Sequence, residues 1–270
     1  MSLGFLVALL TTLCYAETIS FKLVNNCSEQ VIWPAMHSNN GTLVDPTIDP
    51  LTPGLSLRPG TSVQTRPLSL PWGGRIWARQ FCSESGADCL IGDCSLPSCW
   101  MRSAGNTTLF EVHADLGAIH YDISLGECGP RTRSPSPDRD IVVDAFTIGM
   151  TVVPSNRQCR QLSCQAPPYL GLGPRGRPLC PVSNMIRFPT DTPPSSRPYH
   201  NVYACLSDCS LYGGAKSCCP PDASGRDLCK GANPWFKTAC PDAYSYATDD
   251  ATSNLFCEAS NFTITFSCPS

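Results

Sequence analysis

Cysteine constrains this chain more than any other residue: 18 of its 270 positions carry one. A reducing cytosol does not sustain that many bridges, so the density implies an oxidising compartment and a fold held by disulfides. The N-terminus agrees. The run LGFLVALLTTLCYA is apolar and ends in small residues at Cys14 and Ala16, which reads as a secretory signal peptide over residues 1–16, cleaved before Glu17. It is shorter than the roughly 20 residues that a spanning helix needs. No second apolar run follows, and the closing TFSCPS has no hydrophobic tail for a lipid anchor. The expected product is secreted and extracellular, with no stable membrane anchor.

Cleavage removes Cys14 and leaves 17 cysteines, an odd number, so eight bridges can form and one thiol is left over. Cys27 follows the first apolar segment and Cys268 ends the last, so a bridge between them would staple terminal strands. Cys218 and Cys219 are adjacent, and a bond between them would be strained, which assigns each a different partner. CLSDC and CC resemble metal-ligand spacings. With four histidines and no second matching pair, disulfides explain them better, and no metal or cofactor is expected.

Between the cysteines the chain alternates with period two. ISFKLVNNC places Ile19, Phe21 and Leu23 on one face, and GRIWARQF alternates around Arg75 to Phe81. IHYDISL aligns Ile119, Tyr121 and Ile123, and NFTITFSC aligns Phe262, Ile264 and Phe266. Such segments are strands with one buried face, separated here by turn residues such as LTPG, LRPG and PWGG. The front two-thirds therefore reads as a β-sandwich or barrel. After about Ser163 the chain becomes cysteine- and proline-rich and can bury little apolar surface without cross-links. Its helix candidates are short, around VYACLSDC and NPWFKTAC, while GPRTRSPSPDRD reads as a surface insertion in the β region.

Net charge is −3, and no basic run or interleaved aromatic stripe is present, which excludes nucleic acid as a partner. Sequons at Asn26, Asn40, Asn106 and Asn261 mark candidate glycosylated loops. The histidines His37, His113, His120 and His200 form no triad or metal spacing, and no Gly-x-Ser-x-Gly elbow occurs. Trp33, Trp72, Trp77, Trp100 and Trp235 are read as packing residues rather than sugar platforms.

FKLVNNC, GRIWAR, GADCLIGDCSLPSC, VVDAFTIGMTVVP, CC, CPDAYSYATDD and NFTITFSCP recur in order along nearly the whole mature chain. On these motifs the chain resembles the thaumatin-like proteins, pathogenesis-related family 5. The resemblance implies a mainly β fold: a sandwich of about ten strands over residues 17–79, 112–165 and 241–270, a small disulfide loop over 80–111, and a disulfide-rich lobe over 166–240. It also implies the pairs Cys27–Cys268, Cys82–Cys89, Cys94–Cys99, Cys159–Cys257, Cys164–Cys240, Cys180–Cys205, Cys209–Cys218 and Cys219–Cys229. Cys128, beside the insertion, is the thiol left over. Two departures stand out: Ile91 takes the place of the family's Thr before Gly-Asp-Cys, and SLP replaces a Gly-rich turn.

The functional feature implied by the resemblance is an acidic cleft lined by one arginine, one glutamate and three aspartates. Arg75 matches the arginine, Glu111 the glutamate and Asp122 the first aspartate. Asp144 or Glu127 matches the second, and Asp249 or Asp250 the last. Fixed carboxylates beside apolar and aromatic groups suit a carbohydrate, because they accept hydrogen bonds from hydroxyls while rings cover C–H faces. The implied function is an antifungal defence protein of the apoplast or cell wall that binds β-1,3-glucan, expected as a monomer. Two alternatives stand beside it. One is a weak endo-β-1,3-glucanase, with Glu111 as acid, favoured because no basic residue is near it in sequence, and Asp122 as nucleophile or base. The other is a hydrolase inhibitor or membrane-permeabilising protein.

Overall fold

Strand alternation buries one face of the long strands at Thr18–Asn25, Leu109–Asp115, Ala118–Ser124 and Asn261–Ser267, and two sheets close over the result. The structure, a computed structural model, describes residues 18–39, 51–94, 99–100, 107–125, 145–165, 180–189, 202–212, 217, 233–246 and 249–268. The first sheet contains β1 (Thr18–Asn25), β3 (Ser62–Gln64), β4 (Leu68–Ser69), β9 (Gly149–Pro154), β10 (Leu162–Cys164) and β15 (Asn261–Ser267). Its order is β10-β9-β15-β1-β3, with β4 also on β1. The second contains β2 (Ile32–Ser38), β5 (Trp72–Gln80), β6 (Leu109–Asp115), β7 (Ala118–Ser124), β13 (Ala243–Tyr244) and β14 (Leu255–Cys257), ordered β13-β7-β6-β5-β2 with β14 on β7. A small third sheet joins β11 (Met185–Arg187), β12 (Val202–Leu206) and β8 (Ala145–Phe146).

The predicted inward residues form the core between the two large sheets. Ile19, Phe21, Leu23, Ile123, Phe262, Ile264 and Phe266 are all essentially inaccessible, and Phe110 joins them. The Phe21 ring meets Trp72 at 5.4 Å, Phe110 at 6.2 Å and Phe262 at 6.2 Å between centroids. Each such side chain contributes about 1.5–3 kcal/mol by leaving water. Tyr121 completes this layer, and its hydroxyl donates to the Arg160 carbonyl at 2.6 Å. Burial raises the Tyr121 phenol above its usual range, with the Arg160 charge pulling the other way.

First and last strands lie side by side. β1 and β15 are parallel, with Phe21 opposite Phe262 and Leu23 opposite Ile264, and the Cys27–Cys268 bridge closes the pair just beyond. The structure also joins Cys82 to Cys89, Cys94 to Cys99, Cys159 to Cys257, Cys164 to Cys240 and Cys180 to Cys205. Those six are pairs that the resemblance implies. Cys209 is disulfide-bonded as well, while Cys128, Cys218, Cys219 and Cys229 lie outside the described residues.

Two expectations are corrected. VYACLSDC is not one helix: Val202–Leu206 is a strand, and α1 (Asp208–Tyr212) follows it. β12 is paired on both edges, with Cys205 opposite Met185 and Phe146, so tertiary pairing overrides a weak local preference. Ser207 marks the switch, accepting from the Ser210 amide at 3.1 Å as a cap does. The second correction is a boundary. β6 begins at Leu109, so residues 109–111 belong to the sheet and not to the small loop. NPWFKTAC does contain a helix, α2 (Pro234–Ala239), with Pro at its start and Asn233 accepting from the Trp235 amide at 3.0 Å.

Candidate functional site

Arg75, Glu111 and Asp122 come from three strands that nothing in the local sequence connects. The register of the second sheet sets Arg75 opposite Glu111 and Glu111 opposite Asp122. Directly opposed residues share a face, so the three side chains form one row across β5, β6 and β7. Phe110, Ile76 and Ile123 alternate to the other face and enter the core. The row therefore stands on the outer face of the sheet, turned away from the sandwich interior.

Arg75 Nε donates to Glu111 Oε1 in an ion pair, with side chains 18 % and 14 % exposed. The cation that meets Glu111 sits 36 residues away in sequence and directly across the strand in space. A guanidinium beside a carboxylate favours its charged form, which accepts hydrogen bonds and does not donate a proton. Asp122 is half-buried at the end of the row.

The rows on either side of these three differ sharply. Toward the C-terminal end of β5, Trp77 and Arg79 sit on the same outer face yet are 0 % and 1 % exposed. The small disulfide loop covers them. Trp77 Nε1 donates to the Gly92 carbonyl at 2.9 Å, and Arg79 Nη1 donates to the Gly86 carbonyl at 2.7 Å. Ala35, Trp77, Cys94, Cys99 and Leu109 make a second, smaller core there. Toward the other end nothing comparable covers the face among the described residues: Gly73 has no side chain, and His113 and His120 are exposed. The charged row thus lies at the foot of a wall made by the loop.

Asp249 departs from the expectation that it projects into the cleft. It is 6 % exposed, and its carboxylate is occupied. Oδ2 accepts from Lys237 Nζ at 2.8 Å and from the Ser245 amide and hydroxyl at 3.3 and 3.1 Å, and Oδ1 accepts from the Thr252 hydroxyl at 2.9 Å. Lys237 Nζ also donates to the Ala243 carbonyl and the Ser253 hydroxyl. This buried knot ties α2 to α3 (Asp250–Ser253) and β13, a structural task. Lys237 carries no motif that announces it. Asp242, in the same stretch, pairs with Arg160 and accepts from the Ser163 amide at 3.3 Å. Asp144, Glu127 and the Asp250 side chain lie outside the described residues.

All five tryptophans pack, as expected. Trp72 is 5 % exposed and Trp77 fully buried; Trp100 stacks on Trp72 at 6.3 Å, and Trp235 meets Phe146 at 6.1 Å. Trp33 is half-buried, against the small loop at Gly86. Of the sequons, Asn26 and Asn261 lie on exposed positions, while Asn40 and Asn106 fall outside the described residues. Among the described residues no three His, Cys, Asp or Glu side chains gather as a metal would require. Among them, too, no helix is long and apolar enough to cross a membrane.

Comparison with known proteins fixes the class. The Thaumatin family pattern matches residues 25–128 and 140–269, so the chain belongs to the thaumatin family. The unmatched residues between those segments fall in the GPRTRSPSPDRD insertion. The chain is 30 % identical to the pathogenesis-related thaumatin-like protein 3.5 of Cryptomeria japonica, with 95 % of this chain and 92 % of that protein covered. It is 32 % identical to a glucan endo-1,3-beta-glucosidase of Prunus avium, covering 94 % and 91 %. Against pathogenesis-related protein 5 of Arabidopsis thaliana it is 30 % identical, covering 92 % and 90 %.

Proposed function

We propose that this protein is a secreted, antifungal wall-recognition protein that binds β-1,3-glucan through the Arg75–Glu111–Asp122 row. The observation that carries the reading is the Arg75–Glu111 ion pair set directly opposite Asp122 on a partly exposed sheet face. An ionised pair offers donors and acceptors at fixed positions, as neutral sugar hydroxyls require, and the guanidinium keeps Glu111 in the acceptor form. A general acid needs the opposite: a carboxyl that holds its proton near working pH. Binding is thus favoured over catalysis. A fold closed by at least six bridges suits an extracellular wall.

The second reading, a weak endo-β-1,3-glucanase with Glu111 as acid and Asp122 as nucleophile, has one observation in its favour. Glu111 and Asp122 are directly opposed across β6 and β7 on one face, so two carboxyls stand side by side, as a pair that flanks one glycosidic bond must. The name of the Prunus avium relative points the same way. Co-sedimentation with insoluble β-1,3-glucan, with reducing sugar measured in the same tube, separates the two. Binding without sugar release, weakened about tenfold or more in Glu111→Gln, is expected from the loss of a charged hydrogen-bond acceptor. Sugar release that disappears in Glu111→Gln while binding persists would establish the enzyme instead. Failure to sediment with glucan would end the binding proposal.

A further inference from the structure

The open side of the charged row carries groups that the acidic-cleft reading does not use. Two residues along the same strands, on the same outer face, the register sets Gly73 opposite His113, His113 opposite His120, and His120 opposite Phe256. Phe256 is 61 % exposed, and its ring lies 5.2 Å from the His120 ring. An aromatic side chain displayed on a strand costs apolar exposure, and this one is held firmly in place. Leu255 and Cys257 on either side pair with β7, and Cys257 is bridged to Cys159. A ring already fixed loses little freedom when a ligand stacks on it.

One further step along the strands brings Asp115 and Ala118 to the same face, with Glu258 two residues past Phe256. These three form the near rim of a hollow of about 440 Å3 at the edge of the sandwich, whose other walls include Thr18, Leu70 and the core-facing Ile119. At about 3.4 Å per residue, Glu111 and Asp115 are about 14 Å apart along β6. Three consecutive rows therefore form a track: charged pair, imidazoles with an aromatic ring, then a hollow with two carboxylates. Gly73 keeps the floor of the middle row low, since a Cβ there would meet His113 Nδ1 at 3.0 Å.

We infer that this track is an extended polysaccharide subsite, in which Phe256 stacks on one sugar ring of a linear β-glucan. His113 and His120 bond its hydroxyls, and the Asp115–Glu258 hollow receives the next unit. The inference rests on the glucan reading of the Arg75–Glu111–Asp122 row and adds the direction and length of the bound chain. Uncharged hydroxyls around the apolar C–H face of a sugar ring are the chemistry that neighbouring imidazole, carboxylate and phenyl groups recognise.

The test is calorimetric titration of the secreted protein with linear β-1,3-gluco-oligosaccharides from dimer to hexamer. The wild type is compared with Phe256→Ala, Phe256→Tyr, His120→Ala and, as an exposed apolar control, Leu116→Ala. Affinity in the wild type should rise with chain length. Phe256→Ala should remove that rise, with a loss of about tenfold for the hexamer and little for the shortest ligand bound. Phe256→Tyr should restore binding, and Leu116→Ala should match wild type. Circular dichroism of the variants guards against misfolding, and His120→Ala provides an independent second loss. Wild-type binding whose length dependence survives both Phe256→Ala and His120→Ala would overturn the subsite and leave the charged row standing. Absence of wild-type binding to any oligomer or to insoluble glucan would overturn both.

Discussion

Lys237 reaches Asp249 from a helix 12 residues upstream, with the Asp249 side chain 7 % and the Lys237 side chain 30 % exposed. Arg75 and Glu111 make the same kind of contact on a surface that a ligand can reach. Chemistry and exposure at the residue scale are alike; place in the fold divides the roles, since the Asp249 carboxylate ties a helix, a turn and a second helix together while Glu111 stands in a row across the sheet. Losing the charge-assisted hydrogen bonds of a buried carboxylate costs about 1.5–3 kcal/mol. Asp249→Asn is therefore expected to lower unfolding stability by about 2 kcal/mol, read from a urea midpoint, while leaving glucan binding per folded molecule unchanged. Glucan binding that falls in step with Glu111→Gln would return Asp249 to the ligand site. The sequence could not distinguish these carboxylates, because both occur in motifs of one family and burial has no signature at a single acidic position. Arg75, Glu111 and Asp122 were nameable from their motifs, but the ion pair between the first two depends on a strand register that local sequence does not encode.

At the scale of elements, the small loop decides which part of the outer sheet face a ligand can reach. Gly92 has φ +67°, and a Cβ there would lie 2.9 Å from Cδ1 of Trp77, itself fully buried. An alanine would thus pay for a left-handed backbone and push against a ring that has no room to move. Gly92→Ala should destabilise by about 2 kcal/mol or more and shift Trp77 fluorescence to the red as the loop lifts. An unchanged midpoint and spectrum would show that the loop does not clamp the sheet. Legibility follows element length. The strands read from alternation, around Phe21, Tyr121 and Ile264, are six to nine residues long or nearly so. Seven of the fifteen strands described have only two or three residues, too few to show a period, and β12 was misread because its partners, β8 and β11, are distant in sequence and equally short.

Across the whole molecule, the bridges close loops of very different size, and that difference is measurable. Cys27 and Cys268 are 241 residues apart, whereas Cys94 and Cys99 are separated by 5. Spacing alone cannot select such partners from so many cysteines; the family resemblance implied them, and the structure shows why the long one exists. β1 and β15 are parallel, so no hairpin can bring them together, and the chain must close nearly its full length before Phe21 meets Phe262. A cross-link removes that closure entropy from the unfolded chain, by about 5 kcal/mol for the long loop and about 2 kcal/mol for the short one. The double variant Cys27→Ala/Cys268→Ala should therefore lose markedly more stability than Cys94→Ala/Cys99→Ala when both are unfolded in urea without reductant. Equal losses would mean that strain or residual structure, rather than loop size, governs what the bridges contribute. The expected ranking would mean that the sandwich owes its closure to the pair at its two ends, leaving the small-loop bridge to the local task of shaping the wall above the charged row.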